Sequence, residues 1–210
     1  MRGNEAPQVN LFSYVHLEDR VPRSHPLRPV RTMVDQALTG LDGAFAAMYA
    51  TTGRPSIPPE RLLRALLLQI FYSVRSVALL IEQLDYNLLF RWFVGLAIDD
   101  PVWDPSTFSK NRDRLIEADV AQGFFTQVLA QAEAKHLLSD EHFSVDGTLI
   151  EAWASHKRFQ RIEECFGWGK VIGPLRKTHV RGVEKVGFVF TLTFAAYNLV
   201  RLRNLVVAAP

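Results

Sequence analysis

Two carboxylates stand out for the settings they occupy. Asp146 lies in Phe143-Ser144-Val145-Asp146-Gly147-Thr148, at the end of a run whose alternation reads as strand. Glu163 lies in Arg161-Ile162-Glu163-Glu164-Cys165-Phe166-Gly167-Trp168-Gly169-Lys170, a helical stretch in which Lys170 follows the glutamate by seven positions. That spacing is about two helical turns, so Glu163 and Lys170 face the same way. A carboxylate at a strand end and another on a helix are the parts from which a two-metal phosphoryl-transfer site is built. Acidic side chains converge there on two divalent cations about 3.5–4 Å apart, which activate the attacking oxygen and stabilise the leaving one. Oxygen ligands of this kind suit Mg²⁺, and a lysine on the glutamate's face would reach phosphate.

Taken alone, each residue also has a plainer reading. An Asp-Gly pair after a β-like run is a common hairpin turn. Glu163 and Lys170 can equally be an exposed charge pair on an amphipathic helix whose other side carries Ile162 and Phe166. The spacing adds a constraint. Only seventeen positions separate Asp146 from Glu163, and no aspartate follows Asp146 anywhere in the chain. A parallel crossover with its helix needs about a dozen residues apart from the strands it joins. Of the sixteen residues between the carboxylates, some belong to the strand 148–153 and some to the glutamate helix. A full crossover between the two has no room.

The elements that must position these residues read as mainly α. Residues 1–25 resemble an extended arm, and His25-Pro26 and Arg28-Pro29 punctuate the entry to a helical region. Short helices are expected over 30–38 and 41–49. After the break at 51–59, Pro58-Pro59-Glu60 opens the strongest helix of the chain, with Leu62, Leu63, Leu66, Leu67, Ile70 and Phe71 at core spacing. Ser76 and Asn87 can cap the next two, through 84 and 96, and Ser106 or Asp104 the basic helix 107–116. A long amphipathic helix follows over 120–137. The period then changes to alternation over 142–150, before helices at 160–170 and 184–205. Phe71, Trp92 and Phe125 are most simply core residues.

Composition narrows the function classes. With 210 residues, 48% of them hydrophobic and 14 of them Phe, the chain can bury a substantial core. One cysteine, Cys165, excludes an internal disulfide and a cysteine-rich zinc site, and suits a cytoplasmic location. The polar N-terminus has no segment of signal-peptide type. The apolar run 186–200 falls short of the roughly 18–20 residues of a membrane span, so a buried helix is expected and no membrane partner. Residues 151–210 carry ten Lys/Arg against four Glu, a net +6, while the first 150 sum to −4. A basic C-terminal part is compatible with phosphate contacts and equally with an ordinary solvated face.

Longer stretches of sequence resemble the DDE transposases of bacterial insertion sequences. Residues 143–157 (Phe-Ser-Val-Asp-Gly-Thr-Leu-Ile-Glu-Ala-Trp-Ala-Ser-His-Lys) are similar to that family's first-aspartate motif. Residues 54–60, 86–96 and 103–112 resemble its helical N-terminal domain, 161–170 and 175–178 its glutamate region, and 190–201 its closing helix. The resemblance implies catalytic and metal-binding roles for Asp146 and Glu163, Mg²⁺ as cofactor, and transposon-end DNA as partner. It also implies an arm at 1–25, a helical domain at 26–138, first-aspartate strands at 139–159 and a glutamate-helix region at 160–210. The last two would be a remnant of an α/β RNase H-like catalytic domain, a short β-hairpin plus C-terminal helices. Candidate DNA contacts are Lys110 and Arg112 on the basic helix, with Ser109 and Asn111 beside them, and Lys170, Arg176 and Lys177 downstream.

Two departures qualify the likeness. The family pattern Tyr-x2-Arg-x3-Glu-x6-Lys keeps only its second half, with His156 and Phe159 at the Tyr and Arg places. The middle aspartate is missing altogether. The expectation is therefore an internally deleted transposase that binds DNA without cutting it. The alternatives are a regulator that occupies transposon ends or pairs with itself or full-length transposase, and an inert remnant whose last helix docks on 26–138.

Overall fold

The structure is a computed structural model that describes residues 16–49, 56–137, 156–176 and 180–208. Among the described residues every element is helical and none is a strand. The helices are α1 (Leu17–Arg20), α2 (Leu27–Thr39), α3 (Asp42–Met48), α4 (Pro59–Phe71), α5 (Val77–Tyr86), α6 (Leu88–Val94) and α7 (Pro105–Glu117). They are followed by α8 (Val120–Ala134), α9 (His156–Val171), a 3₁₀ turn (Pro174–Arg176) and α10 (Val183–Ala208). The mainly α class expected from the sequence holds. The hairpin expected over 142–150 lies outside the described residues.

Local chemistry sets most of the boundaries. Pro59 sits in the first turn of α4, where no backbone N–H is needed, and Glu60 complements the helix dipole. The Ser76 hydroxyl accepts from the Leu79 N–H at 3.1 Å, and Asn87 Oδ1 accepts from Leu89 and Phe90 at 3.1 and 3.3 Å. Of the two caps considered for α7, Asp104 is the one used, accepting from Ser106 and Thr107 at 2.8 and 3.3 Å. Gly95 ends α6 at φ 88°, a left-handed position that glycine takes without a Cβ penalty. Within the expected arm, Leu17–Arg20 closes a single helical turn. The Trp92 indole donates to Glu18 at 2.5 Å, and Arg28 pairs with the same carboxylate.

One core runs through α2, α4, α6, α7, α8 and α10. Its largest fully buried side chains include Phe93 of α6, Phe108 of α7 and Phe124 of α8, around Leu62, Leu63, Leu67 and Leu68 of α4. Trp92 is buried in it, and Phe71 and Phe125 pack against it, as their helical spacing suggested. Arg91 is buried too, at 2% exposure, with its guanidinium spent on backbone carbonyls. It donates to Leu84 at 2.9 Å, Asp85 at 3.3 Å and Asp100 at 2.5 Å, and to Ala97. The cation thereby satisfies the carbonyl end of α5 and fixes the loop after α6.

The last helix completes this core. α10 packs chiefly along α8 and also touches α2, α4 and α7. Phe188, Leu192, Ala195, Ala196, Leu199 and Leu202 form its buried face. Each of the larger ones stabilises the docked helix by about 1.5–3 kcal/mol. The span Val183–Val206, 24 residues, is long and apolar enough to cross a membrane, so the length argument drawn from 186–200 does not hold. One side of α10 is taken up by the helical core, while Val186, Phe190, Leu205 and Val206 on it stay exposed.

Candidate nucleic-acid interface and carboxylate helix

α7 carries the first group of candidate contacts, and its inner face decides which can reach out. Phe108 and Leu115 are fully buried and hold the helix against the core. Asn111 turns inward with them at 5% exposure. Its amide donates to the Thr107 carbonyl at 2.8 Å, and its oxygen accepts from the Ser56 hydroxyl at 2.6 Å. A role for Asn111 at a base edge is therefore corrected to a structural one: its hydrogen-bonding atoms join α7 to the segment entering α4. Lys110 is exposed. Arg112 is half-buried, and its guanidinium faces Asp113 at 3.7 Å. Asp113 also accepts from Lys185 of α10 at 3.0 Å, so one carboxylate lies between cations of two helices.

α9 carries the second group. It begins at His156, four residues earlier than its apolar period suggested, and Glu163 lies within it. The helix leans on α10 through aromatic pairs: Phe166 with Phe194 at 5.6 Å and Trp168 with Tyr197 at 5.5 Å between ring centroids. Two glycines let the segments approach. A Cβ on Gly169 would stand 2.9 Å from the Leu175 side chain, and one on Gly173 would stand 2.5 Å from Thr193 and 2.8 Å from the Gly169 carbonyl. Past the helix end, the Ser73 hydroxyl donates to the Ile172 carbonyl at 2.7 Å and ties this region to the loop after α4. Burial raises the Cys165 thiol above its ordinary value, with Arg201 opposing and Glu164 reinforcing the shift, so Cys165 is a packed neutral thiol.

Lys170 and Arg176 are both exposed, on the last turn of α9 and on the 3₁₀ turn. Asp146 and Lys177 lie outside the described residues. Among the described residues no three His, Cys, Asp or Glu side chains gather as a metal ion would require.

Residues 15–114 match a transposase domain (DUF772), and residues 126–203 match a transposase DDE domain. Between them the two matches cover most of the chain, and it belongs to the insertion-sequence DDE transposases. The activity of that family is DNA transposition, a form of recombination. No curated protein and no solved structure matches the chain.

Proposed function

We propose that this transposase has lost the middle of its catalytic domain, keeps its grip on DNA and does not cut it. One observation carries the reading: α9 starts at His156, so only nine residues, 147–155, stand between Asp146 and the helix that holds Glu163. A crossover connection alone needs about a dozen. Asp146 and Glu163 are then the outer members of a three-carboxylate site, and residues 139–210 are what is left of an RNase H-like domain. Mg²⁺ held by those two would lack its third carboxylate, and with it the charge balance and geometry that a two-metal transfer requires.

DNA binding is proposed on the exposed cations. Lys110, Lys170 and Arg176 face solvent and can neutralise backbone phosphates, with Arg112 and Lys177 beside them in sequence. The natural ligand is the terminal repeat DNA of the element, met in the cytoplasm. The test combines two measurements. Gel shifts should show salt-dependent binding to end-repeat DNA, while supercoiled DNA carrying those ends stays intact in Mg²⁺ or Mn²⁺. Efficient strand cleavage would overturn the reading.

A second reading is favoured by the continuity of the core through α10: a non-catalytic regulator that occupies transposon ends or pairs with full-length transposase. It predicts a mixed oligomer when the two chains are combined. No mixed species and no shifted DNA would remove it.

A further inference from the structure

Two arginines distant in sequence line one open cleft of about 490 Å³. Arg23, Ser24 and His25, in the turn before α2, form one wall, and Arg203 and Asn204, near the end of α10, form the other. No Asp or Glu is among the lining residues. Several described cations are paired, among them Arg28 with Glu18, Arg64 with Asp35, Arg61 with Asp100 and Lys185 with Asp113. Arg23 and Arg203 have no such partner among the described residues. Unopposed charge in a concave setting attracts anions more strongly than the same charge on a convex face.

The donors are of the right kind for phosphate. Arg203 Nε and Nη2 both donate to Asn204 Oδ1, at 3.0 and 2.7 Å, which holds the guanidinium in place and leaves Nη1 free. The Asn204 amide nitrogen keeps its own donors. His25 Nδ1 accepts from the Leu27 N–H at 3.2 Å, which leaves Nε2 as the donor on that ring. Guanidinium groups match phosphate oxygens in a two-point fork, and Ser and Asn side chains are frequent partners of the DNA backbone.

We infer that this cleft grips the phosphate backbone of DNA, with Arg23 and Arg203 as its two charged contacts. The inference rests on the DNA-binding reading above and adds a surface to it. α10 forms one wall, so the C-terminal part of the chain would hold DNA directly as well as complete the core. The contact would be blind to sequence, because phosphates carry no base information.

The test is a fluorescence-anisotropy titration of the full chain against a labelled random-sequence duplex over a salt series. The variants are Arg23→Ala/Arg203→Ala, Arg23→Lys/Arg203→Lys and, as a surface control, Arg75→Ala. Each phosphate contact contributes about 0.9 to the slope of log affinity against log salt, and about tenfold in affinity near 0.1 M salt. The double alanine variant should lose about 1.8 from the slope and bind about 100-fold more weakly at that salt. The lysine variant should keep most of the slope, and Arg75→Ala should change both by less than either lost contact. If the wild type binds and the double alanine variant matches Arg75→Ala at unchanged helical circular dichroism, the cleft is not a DNA contact and the DNA-binding reading stands. If the double alanine variant loses its helicity, the single variants Arg23→Ala and Arg203→Ala are read instead, each expected to lose about 0.9 from the slope, and slopes equal to that of Arg75→Ala overturn the inference. If the wild type itself does not bind, the DNA-binding reading falls and takes the cleft with it.

Discussion

Helices α7 and α9 both carry residues proposed to meet DNA, yet they are built into the molecule in different ways. α7 is capped by Asp104 and seated on fully buried Phe108 and Leu115, with Asn111 bonded across to Ser56. α9 rests on α10 through half-open aromatic contacts, with Phe166 still 40% exposed, and just past its end Gly173 lets the chain come close to Thr193 of α10. One helix is part of the core and the other is mounted on its rim. The two are linked from beneath: α10, on which α9 rests, belongs to the core that α7 also serves.

The largest effects should come from the core side of this contrast. Phe108→Ala empties a fully buried site and should cost about 3–5 kcal/mol in urea unfolding, whereas Phe166→Ala on α9 should cost about 1 kcal/mol or less. Similar losses at the two positions would erase the distinction. Arg91→Met should cost about 3 kcal/mol by the same measurement, because it takes the donor from the buried Leu84 carbonyl and from the part-buried carbonyls of Ala97 and Asp100.

Gly173→Ala probes the rim. The added methyl would meet Thr193 and the Gly169 carbonyl, both inside normal contact distance, so the end of α9 must lift from α10. We expect a loss of about 1–3 kcal/mol and an altered near-UV signal from Trp168, which packs on Tyr197. An unchanged spectrum at unchanged stability would mean that α9 is not seated as described.

The smallest effect is a pH dependence at α1. The Trp92 indole and then Arg28 hold the Glu18 carboxyl below its ordinary 4.5. A lowered folded pKa gives stability that is present above the unfolded value and lost as pH falls through the folded one. The α1 tether should therefore weaken from about pH 4.5 downward, seen as a change in indole fluorescence. Glu18→Gln should remove that change, and a persisting transition would assign it to another group.

Much of the helical plan is legible in the sequence because its signals are local. Ser76, Asn87 and Asp104 each bond backbone within three residues of themselves, and the leucines of α4 repeat at a spacing that leaves one face to bury. What is not legible depends on the third dimension. Asn111 has the side chain of a base reader, and only the position of Ser56 reveals it as a buried link. The role of Arg91 emerges only when the carbonyl end of α5 and the loop after α6 close around it. α10 is apolar on nearly every side, so its sequence suggests burial without saying which face or against what. Arg23 and Arg203 share a cleft that no local pattern announces. The glutamate motif was legible as a helix, while its first aspartate and the strand expected around it lie outside the described residues.

Hydrogen exchange offers the sharpest test of whether α10 is a strut of the helical body or a remnant lying beside it. Slowest exchange marks the cooperative core, and segments that open together share one dependence on denaturant. If α10 is built into the core, amides of residues 192–202 should exchange as slowly as those of 120–132 in α8 and open with the same urea dependence. Rapid exchange over 192–202 while α8 stays protected would contradict it.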